Sequence, residues 1–445
     1  MRKESIFIML ICSITCLAGH HYYVAPVSSG NQSGNSWENA SNNLYEILSK
    51  SETGDTIWVA SGTYKGGFYW RSGVTVMGGF SVGDESLNSR KLPSTGQNLT
   101  ILDGDHKFRV ISQPTPCTQS ACFDGFVIRS GNGVDGAGVI MKNGSNLKNC
   151  VIDSCVGGLP SVGEATSDSK GVIFDVDQDD NKLYIISASN VGRLCQLSRA
   201  KEMLSAYSNG SYTWSLPTAE ELRQLVSSPS LELVASQVDA LGQAKLSGTK
   251  LWSNRSVESA GMEGAYVADL CNWEVRPTNE WQYNLLWPVS CYVYTIQSSN
   301  GGGINASDGA VIENCIVRNS SATYGSGIYA RNQVVITDTR LESNEGQDEL
   351  DVDGTVILNN TTGISKAPSE SNGLAIKNPI EAGQVIPLSR TGFNVYEMFD
   401  LSGKLIMRGP VTANSVIIAP NTAGNYILKL MNNQKETKIV KLLVK

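Results

Sequence analysis

Histidine is nearly absent: three residues in 445, two of which, His20 and His21, follow the first apolar run. A histidine metal cage or a Ser-His-Asp triad therefore has almost no material. Charged residues are sparse at 17%, and the balance of -7 is acidic with no basic stripe, which argues against a nucleic-acid partner that must be met by neutralising phosphates. Aromatics make up 7%. After the first twenty residues no apolar stretch reaches the length of a membrane helix, so no transmembrane helix is expected in the mature chain. Glycine, by contrast, is plentiful at 44 residues, a profile of turn-rich β structure rather than helical bundles. The length exceeds what one ordinary core fills and predicts several domains or a repeat architecture.

Arg2 and Lys3 precede an apolar run over residues 6–17, which reads as a signal peptide over 1–19, cleaved after Ala18 or Gly19. Acylation at Cys16 is the lesser reading, because Ser13, Ile14 and Thr15 make a poor lipobox. Of ten cysteines, Cys12 and Cys16 lie in this segment, and export makes disulfides possible for the rest. Cys117 and Cys122 bracket a short loop that could close as a local disulfide, and one pair among Cys195, Cys271 and Cys291 could bridge.

The pentapeptides beginning at Phe126, Cys150, Cys315 and Thr339 read FVIRS, CVIDS, CIVRN and TRLES. Phe126 and Cys150 are 24 residues apart, as are Cys315 and Thr339. A second landmark shares the period: Gly138, Gly303 and Gly327 each close a G-x-G twelve residues before Cys150, Cys315 and Thr339. The physical reading is a coil of short strands stacked on copies of itself, parallel strands lying about 4.8 Å apart. Ile128, Ile152, Val317 and Leu341 should form one inward column, and Phe126, Cys150, Cys315 and Thr339 another, with Cys150 and Cys315 as buried thiols. Arg129, Asp153, Arg318 and Glu342 alternate outward. Asn149, Asn314 and Asp338 fall at a turn where short polar side chains can stack as a ladder.

Cys150 and Cys315 are 165 residues apart, one coil of 24 and 141 more. The excess predicts an inserted domain that leaves near residues 157–161 and returns near 299–302. Upstream, GDTIWVASGTYKG, GVTVMGGFSVGDES and LTILDGD are strand patterns broken by glycine, extending the stack toward an N-terminal cap. Room remains for about seven coils. With YYVAPVSSGNQSGNSWENA, these motifs resemble the openings of bacterial right-handed parallel β-helix proteins of the pectate-lyase-like superfamily. That resemblance covers residues 21 to about 362 outside the insert and implies the β-helix over 20–162 and 299–362; with the 141-residue excess and the strand runs beyond it, the chain is expected to be mainly β, with an inserted α+β domain over 163–298, a linker over 363–371 and a C-terminal β-sandwich over 372–445.

Five of the eight tryptophans fall in the insert: Trp214, Trp252, Trp273, Trp281 and Trp287. GVIFDVD and KLYIIS alternate as a hairpin around Asp179-Asp180-Asn181. LSRAKEMLSAY reads as a helix, and another starts at Thr218, where Glu221 completes a capping box. Trp214, Leu216, Pro217, Thr218, Glu221 and Leu222 carry a W-x-L-P-T-x-x-E-L pattern that is similar to the Lcl-type C-terminal domain family of lectin-like folds. The resemblance implies binding of glycan or host-matrix ligands, with the five tryptophans as candidate ligand-binding residues. Core packing is the competing reading for their rings.

From about Asn372, strand-length runs alternate with turns. Asp400-Leu-Ser-Gly403-Lys404 and Gly424-Asn-Tyr-Ile-Leu-Lys429 resemble the C-terminal sorting domain of type IX secretion cargo, which implies recognition by secretion machinery and an outer-membrane surface or secreted location.

For an enzyme, Asp103, Asp105 and His106, with Asp124 about one coil away, are the best candidates, since glycan-cleaving sites need convergent carboxylates or a base beside calcium. A turn with satisfied side chains is the plainer reading. Asp175, Asp177 and Asp179 begin like a calcium loop, but Asp180 stands where glycine is needed and Ile186 where a bidentate Glu is needed. No metal or cofactor is expected. The sequence therefore predicts a non-enzymatic, adhesin-like surface protein whose β-helix presents a binding domain, with a polysaccharide lyase or glycoside hydrolase as the alternative.

Overall fold

A computed structural model describes residues 19–27, 30–97, 99–191, 195–227, 231–241, 246, 250–259, 262–270, 274–279, 287–363, 374–377, 379–388, 393–411, 416–432 and 437–445. The expected signal segment lies outside them, apart from Gly19. Among the described residues no helix is long and apolar enough to cross a membrane.

The chain is mainly β, and its dominant feature is three parallel sheets built from short strands, compatible with a β-helix. Each regular coil gives one strand to each sheet. In one coil these are Val139–Met141, Ser145–Lys148 and Val151–Asp153; in the next they are Ile304–Ser307, Val311–Glu313 and Ile316–Arg318. Val139 pairs with Ile304, Leu147 with Ile312 and Ile152 with Val317. All three sheets thus continue in register across the same 165-residue step. The 24-residue period is seen directly where Ile128 pairs with Ile152 and Val317 with Leu341. Upstream, Leu102 pairs with Ile128, a coil two residues longer, which is why LTILDGD falls off strict register.

The two inward columns are buried as alternation requires, and they belong to one continuous core. The turn between the second and third strands of a coil is held by the polar ladder. Asn149, Asn314 and Asp338 have φ of 51°, 51° and 47°, a left-handed conformation that short polar side chains tolerate. Asn314 Nδ2 donates to Asn149 Oδ1 at 2.7 Å, and Asn149 Nδ2 donates to Asp124 Oδ1 at 2.7 Å. On the outward face opposite charges pair between coils, Arg129 with Asp103 and Arg318 with Asp153, both at 2.8 Å. The N-terminal end is covered by a helix, Leu44–Lys50, whose Leu44, Ile47 and Leu48 enter the stack's core.

Between the two blocks of coils the described residues form two three-stranded antiparallel sheets and three helices, Leu197–Ser205, Ala219–Ser227 and Leu231–Ala240. Exit and return meet: Gln297 N–H donates to Gly158 O at 3.0 Å. The expected capping box is formed, Thr218 N–H donating to Glu221 Oε2 at 2.6 Å and Glu221 N–H to Thr218 Oγ1 at 3.1 Å. The excursion does not hang by its two connections alone. Phe108, from a turn of the stack, is 2% exposed inside a core with Phe174, Leu225, Val234 and Trp287. Val162 N–H donates to Lys107 O, and Lys107 Nζ lies 2.6 Å from Asp175 Oδ1.

Two readings need correction. Leu374–Lys377, placed by sequence in the C-terminal module, pairs in parallel with the preceding strand, Leu374 opposite Thr355. The stack therefore runs past residue 362, and the antiparallel sheets of the C-terminal region begin at Val385–Pro387. That region has its own core around Met398, Leu428 and Val440. Cys117 and Cys122 are free. Cys122 stands between the inward Ala121 and Phe123 in the strand Ala121–Asp124 and so faces outward, whereas Cys117 is buried against Gln113. Cys291 is also free, Cys195 is buried, and Cys271 lies outside the described residues.

Candidate functional site

The tryptophans are where the sequence placed the ligand. Trp214 is 9% exposed, its indole N–H donates to Asn209 O at 2.6 Å, and Tyr212 meets the ring edge-on at 5.4 Å. Trp287 is fully buried and its N–H donates to Ser187 O at 2.6 Å. Rings enclosed this way, with the indole proton already used, form core and offer no face to a sugar. Trp252 lies in the strand Lys250–Ser259 opposite Val267. Its side chain, like Trp273 and Trp281 entirely, is outside the described residues.

The acidic candidates are tied down. Asp103 accepts from Arg129 Nε at 2.8 Å and from Asp105 N–H at 2.9 Å, while Asp105 meets Lys65 Nζ at 2.7 Å. Asp124 is held by Arg90 at 3.1 Å. Its strand belongs to the nine-stranded sheet and that of Asp103 to a six-stranded one, so Asp124 is not stacked on Asp103 as the coil spacing suggested. Asp175 is paired with Lys107, and Asp177 Oδ1 accepts from Asp179 and Asp180 N–H at 3.1 Å each, which is turn geometry for the hairpin.

What the sequence did not reveal is that these two acidic groups face each other. Asp105, His106 and Lys107 line one cleft of about 400 Å³ with Asp175, Asp177 and Asp179. Gln178 Nε2 donates to His106 O at 2.6 Å across it. Among the described residues no group of three or more His, Cys, Asp or Glu side chains is arranged to hold a metal ion.

A larger cleft, about 790 Å³, opens on the outward face of the sheet containing Val139–Met141. Ile140, Asn305 and Arg331 lie along it. The helix Leu231–Ala240 forms one wall and Tyr45 with Tyr69 another, their rings edge-to-face at 5.3 Å. Burial pushes the Tyr69 hydroxyl up to about 12, so it stays a neutral donor at ordinary pH. Arg109, at the cleft's end, is committed to Glu164 at 2.6 Å and to the carbonyl oxygens of Asp135 and Gly136 at 3.1 Å. Lys142 and Arg331 make no ion pair among the described residues. The arrangement is concave, more apolar than polar, and furnished with amide and hydroxyl groups, which suits a ligand that presents both apolar faces and hydroxyl groups along its length. Sequence reasoning missed it because its walls come from residues about 190 positions apart, Tyr45 and Gln237 among them.

Comparison of the chain with protein-family models and with curated proteins finds no match.

Proposed function

We propose that the chain is an exported, non-enzymatic surface protein: a right-handed parallel β-helix of the pectate-lyase-like kind that holds an Lcl-like module, binds polysaccharide between the two, and ends in a β-sandwich sorting module read by type IX secretion machinery. The observation that carries the binding role is the cleft of about 790 Å³ between the coil face and the helix Leu231–Ala240. It is supported by the way the excursion is fastened to the turn at Lys107 and Phe108, since a binding surface works best on a stiff scaffold. This reading leaves out Trp214 and Trp287, whose rings are buried and whose indole protons are used.

A glycan and matrix-protein array probed with the folded full chain tests this reading; no binding to any member removes it. Incubation with pectins and glycosaminoglycans in the presence of calcium addresses the enzymatic alternative. The pairing of Asp103, Asp105, Asp124 and Asp175 with basic side chains speaks against that alternative, and release of unsaturated or reducing ends would establish it. A reporter carrying residues 372–445 that stayed in the periplasm of a competent host would remove the sorting role.

A further inference from the structure

Behind the large cleft, on the other side of Glu164 and Ala165, lies a second groove of about 320 Å³ that shares those two residues as its wall. Its character differs. Tyr212 and Tyr292 stand with ring centroids 5.6 Å apart and planes at 41°, and the buried Tyr294, Leu183 and Ile173 complete the apolar part of the lining. Among the described residues Glu164 is the one charged side chain on its lining, and Arg109 already neutralises it at 2.6 Å. The Tyr292 hydroxyl has no hydrogen-bond partner among the described residues, and burial pushes it up to about 12, so it is a neutral donor facing the groove. Thr295 and Gln297 stand exposed on the rim, beside Val293 and Ile296 at 69% and 72% exposure.

We infer that this tyrosine groove is an aromatic subsite for uncharged sugar rings, continuing the polysaccharide path of the large cleft past the Glu164–Ala165 ridge. The inference rests on the polysaccharide-binding reading above. Its chemistry follows from what lines the groove. A pyranose has a face of C–H groups that covers an aromatic ring, and a rim of hydroxyls that needs donors and acceptors; Tyr and Gln supply both. A uronate or sulfated sugar would bring an anion to a lining that holds no cation among the described residues, at a desolvation cost that none of them offsets. The volume lies at the lower end of the roughly 300–1,000 Å³ of small-ligand clefts, room for a single ring or a short stretch of chain rather than a long oligosaccharide.

The test is affinity electrophoresis of the full chain in gels cast with laminarin, galactomannan, xylan, polygalacturonate or hyaluronan. At least one neutral polymer should retard the native chain. Tyr292→Ala should weaken that retardation about tenfold, the equivalent of ~1.4 kcal/mol of ring contact and hydrogen bonding. Tyr292→Phe should lie between, because it keeps the ring and loses the hydroxyl. Gln297→Ala, at an exposed position, should weaken binding without lowering the melting temperature, and so keeps the test open if Tyr292→Ala folds poorly. If Tyr292→Phe and Gln297→Ala bind the neutral polymer as the native chain does, or if only polygalacturonate and hyaluronan bind, the subsite is refuted while the polysaccharide-binding function stands. Retardation by none of the five polymers removes function and subsite together.

Discussion

Asn314 opens the second turn of the first complete coil after the chain returns to the stack, so its energetics report whether that coil is truly seated on the one 165 residues earlier. Its φ is 51° and its side-chain amide donates to Asn149 Oδ1 at 2.7 Å. Asn314→Ala loses the inter-coil hydrogen bond, about 1 kcal/mol, and places a Cβ residue in the left-handed region at roughly 1 kcal/mol beyond what asparagine suffers, for a total of about 2 kcal/mol. Asn314→Gly loses the same bond but has no left-handed strain. Against that it gains roughly 0.4–1 kcal/mol of unfolded-chain entropy, so it should be no worse than alanine and milder by up to about 0.6 kcal/mol. Urea unfolding followed by far-ultraviolet circular dichroism reads the difference as two midpoints at a common slope. An alanine variant more stable than the glycine variant would show that Asn314 is not in a left-handed turn, and the stacked register across the excursion would lose its support at that rung.

Phe108→Ala should lower the melting temperature of the transition that includes the 163–298 segment, since removing a buried phenylalanine costs about 3–5 kcal/mol; an unchanged calorimetric profile would mean that this turn of the stack does not enter that core. Burial opposes ionisation of Asp153, but hydrogen bonds from Asn319, Ser154 and Arg318 outweigh it and hold the carboxyl below its usual range. A depressed folded-state value means the contribution is complete above the unfolded value and fades as pH falls through the folded one. Stability should therefore drop on acidification below about pH 4, and Asp153→Asn should flatten that limb; an identical acid limb in the variant would contradict it. Under native conditions an aromatic disulfide reagent should label the exposed Cys291 quickly and leave Cys150, Cys155 and Cys315 unreacted until urea unfolds the coils. Fast labelling of all four would mean that the inward columns are misplaced.

The coils were legible because their information is local and repeated. A 24-residue period, asparagine or aspartate at one turn position and an apolar residue at Ile128, Ile152, Val317 and Leu341 state the same alternation four times. Pairing in parallel register then follows from burying one face. The capping box at Thr218 and Glu221 was legible for the same reason: its partners are three residues apart. Features that depend on distant partners were not. Phe108 reads as the tail of an upstream strand pattern, and nothing nearby says that it enters a core with Phe174 and Trp287. Trp214 and Trp287 look alike in sequence whether a ring is inside or out; what decided them was a backbone carbonyl waiting for the indole proton. Leu374–Lys377 follows a polar stretch that breaks the period, so its place as a further parallel strand is visible only in three dimensions.

The fastening of the 163–298 segment bears on what a ligand would meet. Had it joined the coils only through Gly158 and Gln297, it would swing as a tethered module, and any site shared with the scaffold would pay an ordering cost each time a ligand bound. Instead the segment is fixed at points well separated along the chain: the exit strap, the Lys107–Asp175 and Arg109–Glu164 ion pairs, and the buried ring of Phe108. With exposures of 11% and 23%, Arg109 and Glu164 are sheltered enough for their pair to resist screening better than a surface pair. That ion pair also sits where the large cleft and the tyrosine groove meet. The element that makes the two-part surface rigid is thus the one that separates its two parts, the cleft holding Lys142 and Arg331 and the groove holding Tyr212 and Tyr292. Arg109→Met should then loosen both parts at once, weakening retardation by a neutral polymer even though Arg109 does not line the tyrosine groove. A variant that melted earlier yet bound as tightly as the native chain would show that rigidity at this junction does not govern recognition.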